Sequence, residues 1–242
     1  MAVRARYYAP FARYLAEEGI AALTVDYRGI GASRPARSLK GFAAHYHDWG
    51  EKDLAGAADF LALRYPGLPL HYVGHSTGGQ VMGLADVQFA SALFVASGTG
   101  YWKAYRGVSR VFLAALWYAL FPALTAAAGY LPMRAFGQGE NVPLGVAREW
   151  AEWGRDPRYV FSYAEPRGGL GYTSYRGPLR ALSFADDVYA PKRATESLLS
   201  LYTQARKELV DASNGTPVGH FGFFRKPALW PDQVRFLTTA RG

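Results

Sequence analysis

The sequence predicts an α/β fold, a mostly parallel sheet with helices on both faces, and three observations carry that expectation. Strand-like apolar runs alternate with segments whose apolar residues recur at helical spacing, as parallel strands joined by helical crossovers require. The run Leu70–Val81 reads as a short strand, a Gly-x-Ser-x-Gly turn and a helix that opens on small residues. The alternation breaks once, over residues 100–175, where tryptophan, tyrosine and small apolar residues dominate and no clear strand is visible. With 242 residues the chain suits one domain. We expect residues 1–99 to form the first part of its core, 100–175 a helical lid inserted at the C-terminal edge of the sheet, and 176–242 the rest of the core.

Each element has its own signal. A helix is expected from Tyr8 to Glu18, stopped by Gly19, and then a buried strand at Ala21–Asp26 with the glycine-rich loop Arg28–Ser33 behind it. Leu54, Ala57, Ala58, Phe60 and Leu61 give Asp53–Arg64 a helical period, and Pro66-Gly67 ends it. The Gly-x-Ser-x-Gly unit follows, then a strand near Ala90–Ala96. Past the insertion we expect a strand at Leu179–Phe184, a helix at Pro191–Tyr202, a strand at Lys207–Val210 and a last helix at Ala228–Thr239.

Composition excludes several chemistries. Cysteine is absent, so there are no disulfides, thiol nucleophiles or thiolate metal sites. The net charge of +8 comes mostly from scattered arginines, which fits a solvated surface and gives no motif for specific nucleic-acid binding. Met1–Arg6 is not followed by an apolar h-region, so a cytoplasmic location is expected. From Val111 to Met133 no residue is charged, and Arg110 and Arg134 flank the run. With Pro122 in its middle and Gly129 and Pro132 near its end, the run reads as two short apolar helices broken near Pro122, covering a binding site. No membrane span is expected.

Gly74-His75-Ser76-Thr77-Gly78 makes Ser76 a candidate nucleophile, because a strand–turn–helix elbow projects a serine hydroxyl away from the sheet and needs small neighbours. A serine hydroxyl needs a positioned base, and the base needs a carboxylate to orient it. Of the histidines only His220, in Gly219–Phe224, follows the serine in the chain. Asp186 and Asp187 follow the predicted strand ending near Ala185, and the spacing to Pro191 favours Asp187 with Asp186 as the alternative. His45 and His47 form an H-x-H pair without further ligands in the nearby sequence and suit a loop. His71 suits a packed position on the strand, and His75 a wall of the pocket.

Asp26–Ser33, Gly74–Gly79, Asp186-Asp187 and Gly219–Phe224 together resemble the α/β-hydrolase superfamily, and more narrowly a little-characterised group of bacterial serine hydrolases. The resemblance implies a Ser76–Asp187–His220 triad, a lid, and a sheet in the order 1-2-4-3-5-6-7-8. It also implies three strands ahead of the helix near Tyr8, whose signal is missing here. The Ala21–Asp26 strand then loses both neighbours and a gap opens beside the elbow strand, so Met1 is expected to be an internal or misassigned start. The Thr77 amide would be one oxyanion donor, and Val3 or Ala2 the other. The expected activity is serine hydrolysis of a carboxylic ester or related small-molecule acyl substrate, with no cofactor and no metal. His75, Trp102 and Trp117 are candidates for substrate contact, and Leu116, Leu120, Trp150 and Trp153 add apolar lid surface. A non-catalytic hydrolase-like binding protein is the alternative.

Overall fold

The computed structural model describes residues 2–34, 38–137, 139–213 and 215–239, so Met1 lies outside the described residues. In chain order the main elements are α1 (Ala9–Glu17), α2 (46–64, with a π-helical stretch at Trp49–Leu54), β1 (His71–His75), α3 (Gly78–Met82) and β2 (Ser91–Val95). The insertion follows with α4 (Gly107–Ala128), the short strands β3 (Tyr130–Leu131) and β4 (Val142–Pro143), α5 (Leu144–Arg155), α6 (Phe161–Ala164) and α7 (Leu170–Ser174). Then come β5 (Pro178–Ser183), α8 (Lys192–Leu201), β6 (Arg206–Asp211) and α9 (Trp230–Thr239).

β1, β2, β5 and β6 form a parallel sheet in that spatial order. The central strand β2 is apolar and buried along its whole length, as a strand covered on both faces must be. Its side chains alternate between two cores. Ala92 and Phe94 join a cluster with Trp49, Val81 and Leu198 from α2, α3 and α8. Leu93 and Val95 point the other way, into a cluster with Phe11 of α1, Phe223 and Phe224 of the loop after β6, and Trp230 of α9.

The predicted strand at Ala21–Asp26 is absent. The segment takes no regular structure and is mostly exposed, including Leu23 and Val25, although a buried strand was expected there. A strand exists only as a member of a pair. Here a cavity of about 420 Å³ separates residues 20–25 from β1. Among the described residues a gap lies beside the elbow strand, and β1 is bonded there on one side only.

Two helices also depart from expectation. α2 starts at Tyr46 rather than Asp53, because Asp48 accepts the N–H of His45 at 2.8 Å and Glu149 accepts that of Tyr46 at 2.7 Å, satisfying first-turn donors. Pro122 does not break the apolar run into two. It stands just after a π-helical stretch, Leu116–Leu120, inside one continuous helix. The widened turn accommodates the missing N–H and the ring. Gly129, in the left-handed region at φ 75°, ends the helix. The insertion, read as strandless, contains the small antiparallel pair β3–β4.

The elbow depends on close backbone approach. A Cβ built on Gly74 would stand 2.8 Å from the carbonyl carbon of Gly78 and 2.9 Å from the amide nitrogen of Gly79. Replacing Gly74 by alanine is therefore expected to destabilise the protein by about 2 kcal/mol, read as a lower urea midpoint at unchanged slope.

Candidate active site

β1 delivers Ser76 to the C-terminal edge of the sheet, and α3 leaves immediately behind it. Ser76 has φ 54°, a left-handed conformation that is strained for a serine. Its N–H donates to the Val95 carbonyl at 3.0 Å, so β2 holds the turn. Thr77 is the N-cap residue of α3.

The loops after β5 and β6 bring the other groups to the same point. His220 Nε2 lies 2.9 Å from Ser76 Oγ, and His220 Nδ1 lies 2.9 Å from Asp187 Oδ2. The Asp187 carboxylate is fully buried. Its other oxygen accepts the N–H groups of Tyr189 at 2.8 Å and Ala190 at 3.0 Å. A carboxylate so placed can only accept, which puts the proton of His220 on Nδ1 and leaves Nε2 facing the serine hydroxyl. Asp186 does different work. It accepts the N–H of Gly219 at 2.9 Å, and that bond holds its carboxyl below the usual carboxylate range.

His75 is buried beside His220. Its Nε2 donates to the His220 carbonyl at 2.8 Å, so Nδ1 is bare and accepts the Tyr8 hydroxyl at 3.0 Å. Burial first, and the neighbouring His220 ring second, hold its pKa down at about 3. His75 lines the cavity with Ser76, Thr77 and His220, and Ala2 and Val3 line the same cavity.

Neither Trp102 nor Trp117 lines the cavity beside Ser76. Trp117 is buried inside the insertion, where its indole donates to the Gly100 carbonyl at 2.9 Å and packs on Trp150 and Phe121. Trp102 stands under Lys103 and Arg110, 5.2 and 5.0 Å from its ring, away from the cavity beside Ser76. Aromatic residues at helical spacing here mostly build the insertion's own core, and Trp153 is buried with them.

His45 and His47 have a third possible ligand that the sequence reading overlooked, since Asp48 lies with them and the ligand atoms fall within 4.8 Å of one another. The set does not suit a metal. Lys52 Nζ is 2.5 Å from Asp48 Oδ1, Asp48 Oδ2 already takes the His45 N–H, and His47 Nδ1 is 2.7 Å from Glu149. His71 bonds Ser91 across the strand pair at 2.8 Å, and burial lowers its pKa.

Sequence reasoning missed Tyr8 and Gln80. Gln80 Oε1 accepts from Tyr46 at 2.5 Å and Tyr159 at 3.0 Å, and Nε2 donates to Gly98 at 2.6 Å. This buried network ties α3, α2, the insertion and the loop after β2 together. The one available signal was a lone amide among the small and apolar residues of α3.

The serine aminopeptidase S33 model, of the Hydrolase_4 family, matches residues 1–149, more than half the chain. The protein belongs to this α/β-hydrolase family. Solved structures show the same fold. Rv0554 from Mycobacterium tuberculosis is similar at TM-score 0.63 and 19% identity, covering 100% of this chain and 88% of that one. The Pyrococcus furiosus esterase PF2001 gives 0.59 and 19% over 98% and 78% of the two chains. The Exiguobacterium antarcticum esterase EaEST gives 0.58 and 14% over 98% and 88%. A search of curated proteins found no match.

Two predictions follow from these contacts. Asp187→Asn is expected to lower kcat by about 10⁴-fold, because an amide no longer holds the required tautomer, whereas Asp186→Asn loses only loop support and about tenfold. Hydrolysis of a chromogenic ester by both variants checks this. His75 has a folded pKa of about 3 against an ordinary 6.5, so the unfolded chain binds the extra proton between those values and stability falls as pH drops through that window. Urea titrations of His75→Gln should show a pH slope shallower by roughly 1 kcal/mol per unit there.

Proposed function

We propose that the chain is a serine hydrolase that cleaves a carboxylic ester or related acyl substrate through an acyl-enzyme. The observation that carries this reading is the continuous Ser76–His220–Asp187 hydrogen-bond chain, 2.9 Å at each link. His220 Nε2 takes the Ser76 proton as Oγ attacks the carbonyl carbon. The Asp187 carboxylate then faces an imidazolium and steadies it without taking its proton. The Thr77 amide, among the free donors at the start of α3, stabilises the oxyanion, with Val3 or Ala2 as the second donor from the cavity wall. The protonated His220 gives its proton to the leaving alcohol, and water activated by the same nitrogen releases the acyl group.

The insertion between β2 and β5 serves as the lid in this reading, with an aromatic core of its own. The names of similar structures, two of them esterases, point the same way.

Ser76→Ala should abolish labelling by a fluorophosphonate probe, and His220→Ala should slow hydrolysis of p-nitrophenyl butyrate by about 10⁴-fold or more. Folded wild-type protein that takes no label and turns over no ester would instead support a non-catalytic binding scaffold.

A further inference from the structure

Helix α4 is apolar on the side that packs and on the side that does not. Trp117, Phe121 and Thr125 face the body of the protein and are buried. Val108, Val111, Phe112 and Ala115, spaced i, i+3, i+4 and i+7, share another face. On it Val108 is 87% exposed, Val111 69% and Phe112 55%. The face carries no compensating charge, because the chain has none between Val111 and Met133. A helix that is apolar all round is covered on all sides in its working state.

The charges around it indicate the cover. From Tyr101 to Gly139 there is no acidic residue, while Lys103, Arg106 and Arg110 stand at the start of the helix and Arg134 just past its end. Lys103 and Arg110 lie over the Trp102 ring, an aromatic of the kind that settles at a lipid headgroup boundary. Val111 and Phe112 between basic ends complement a surface that is apolar below and anionic at the rim. A second copy fits less well, since each carries +8 and would bring the same basic ends together.

We propose that the exposed face of α4 rests in the headgroup region of an anionic membrane, with the helix lying flat. The helix is 22 residues long and by length and composition could cross a bilayer. Trp117, Phe121 and Thr125 bind it to the rest of the fold, which holds it parallel to the surface.

Flotation of the full chain with vesicles tests this. The protein should float with phosphatidylcholine vesicles containing about one-third phosphatidylglycerol, stay behind with pure phosphatidylcholine, and lose binding as salt rises. Val111→Asp with Phe112→Asp should weaken binding at least about tenfold. Arg106→Ala with Arg110→Ala should weaken it by about fivefold per arginine. These side chains lie on the surface, so the variants should keep wild-type circular dichroism. Should the aspartate pair misfold, the arginine pair and the lipid comparison still decide. No flotation with the anionic vesicles overturns the proposal, as does flotation that the folded variants leave unchanged. A lipid-free dimer that the aspartate pair converts to monomer overturns it in favour of self-association.

Discussion

His220 is fixed at three points, and the site's geometry rests on that. Its Nδ1 meets Asp187, its Nε2 meets Ser76, and its carbonyl accepts from His75. His75 and Ser76 stand together at the end of β1 and Asp187 follows β5, so no local stretch of chain builds the site. The loop that carries His220 is 33 residues from Asp187 and 144 from Ser76 along the sequence. Asp186 anchors Gly219 one residue before the ring, and the Tyr7 hydroxyl holds the Phe221 carbonyl one residue after it. Adjacent aspartates thus divide the labour, one orienting the ring and the other placing its backbone.

The second histidine has to remain neutral for this to work. The centroids of the His75 and His220 rings are 5.0 Å apart. In the mechanism proposed above, a charged His75 would oppose the imidazolium that His220 would become on taking the serine proton, and in so buried a place little solvent would screen the two. Burial, and after it the neighbouring His220 ring, impose the neutral form. The Tyr8 hydroxyl and the His220 carbonyl fit that form, one donating to Nδ1 and the other accepting from Nε2. His75 is therefore a neutral strut between Tyr8, at the start of α1, and His220.

What could be read from the sequence was what local pattern encodes. The parallel pairing of β1, β2, β5 and β6 follows from apolar runs alternating with helical periods, and the turn at Ser76 from the small residues that it demands. Asp187, rather than Asp186, bonds the His220 ring. Features set by distant partners were hidden. The start of α2 depends on Glu149, a residue 103 positions from the amide it accepts. Trp117 has the same local pattern whether it lines a pocket or fills a core, and only the packing of Gly154, whose built Cβ would come 2.6 Å from the indole, tells them apart. The Ala21–Asp26 run has strand composition, yet strand structure requires a neighbour that composition cannot supply.

The two edges of the sheet differ in the same physical terms. β6 ends one side with Arg206, Lys207, Glu208 and Asp211 exposed, a charged border that discourages further pairing. β1 ends the other side with His71, Tyr72 and Val73 along an open cavity. Ser76 stands at the tip of this second edge, so β2 is the one neighbouring strand that secures its strained turn among the described residues. Val95 accepts the Ser76 amide, and Ser97 Oγ donates to the Gly74 carbonyl at 3.2 Å. Parallel pairing in register, His75 opposite Val95, places both anchors directly beneath the serine. The backbone of Ser76 is thus held by β2 and the residues just after it, while Ser76 itself, with His75 and Thr77, borders the cavity on the open side.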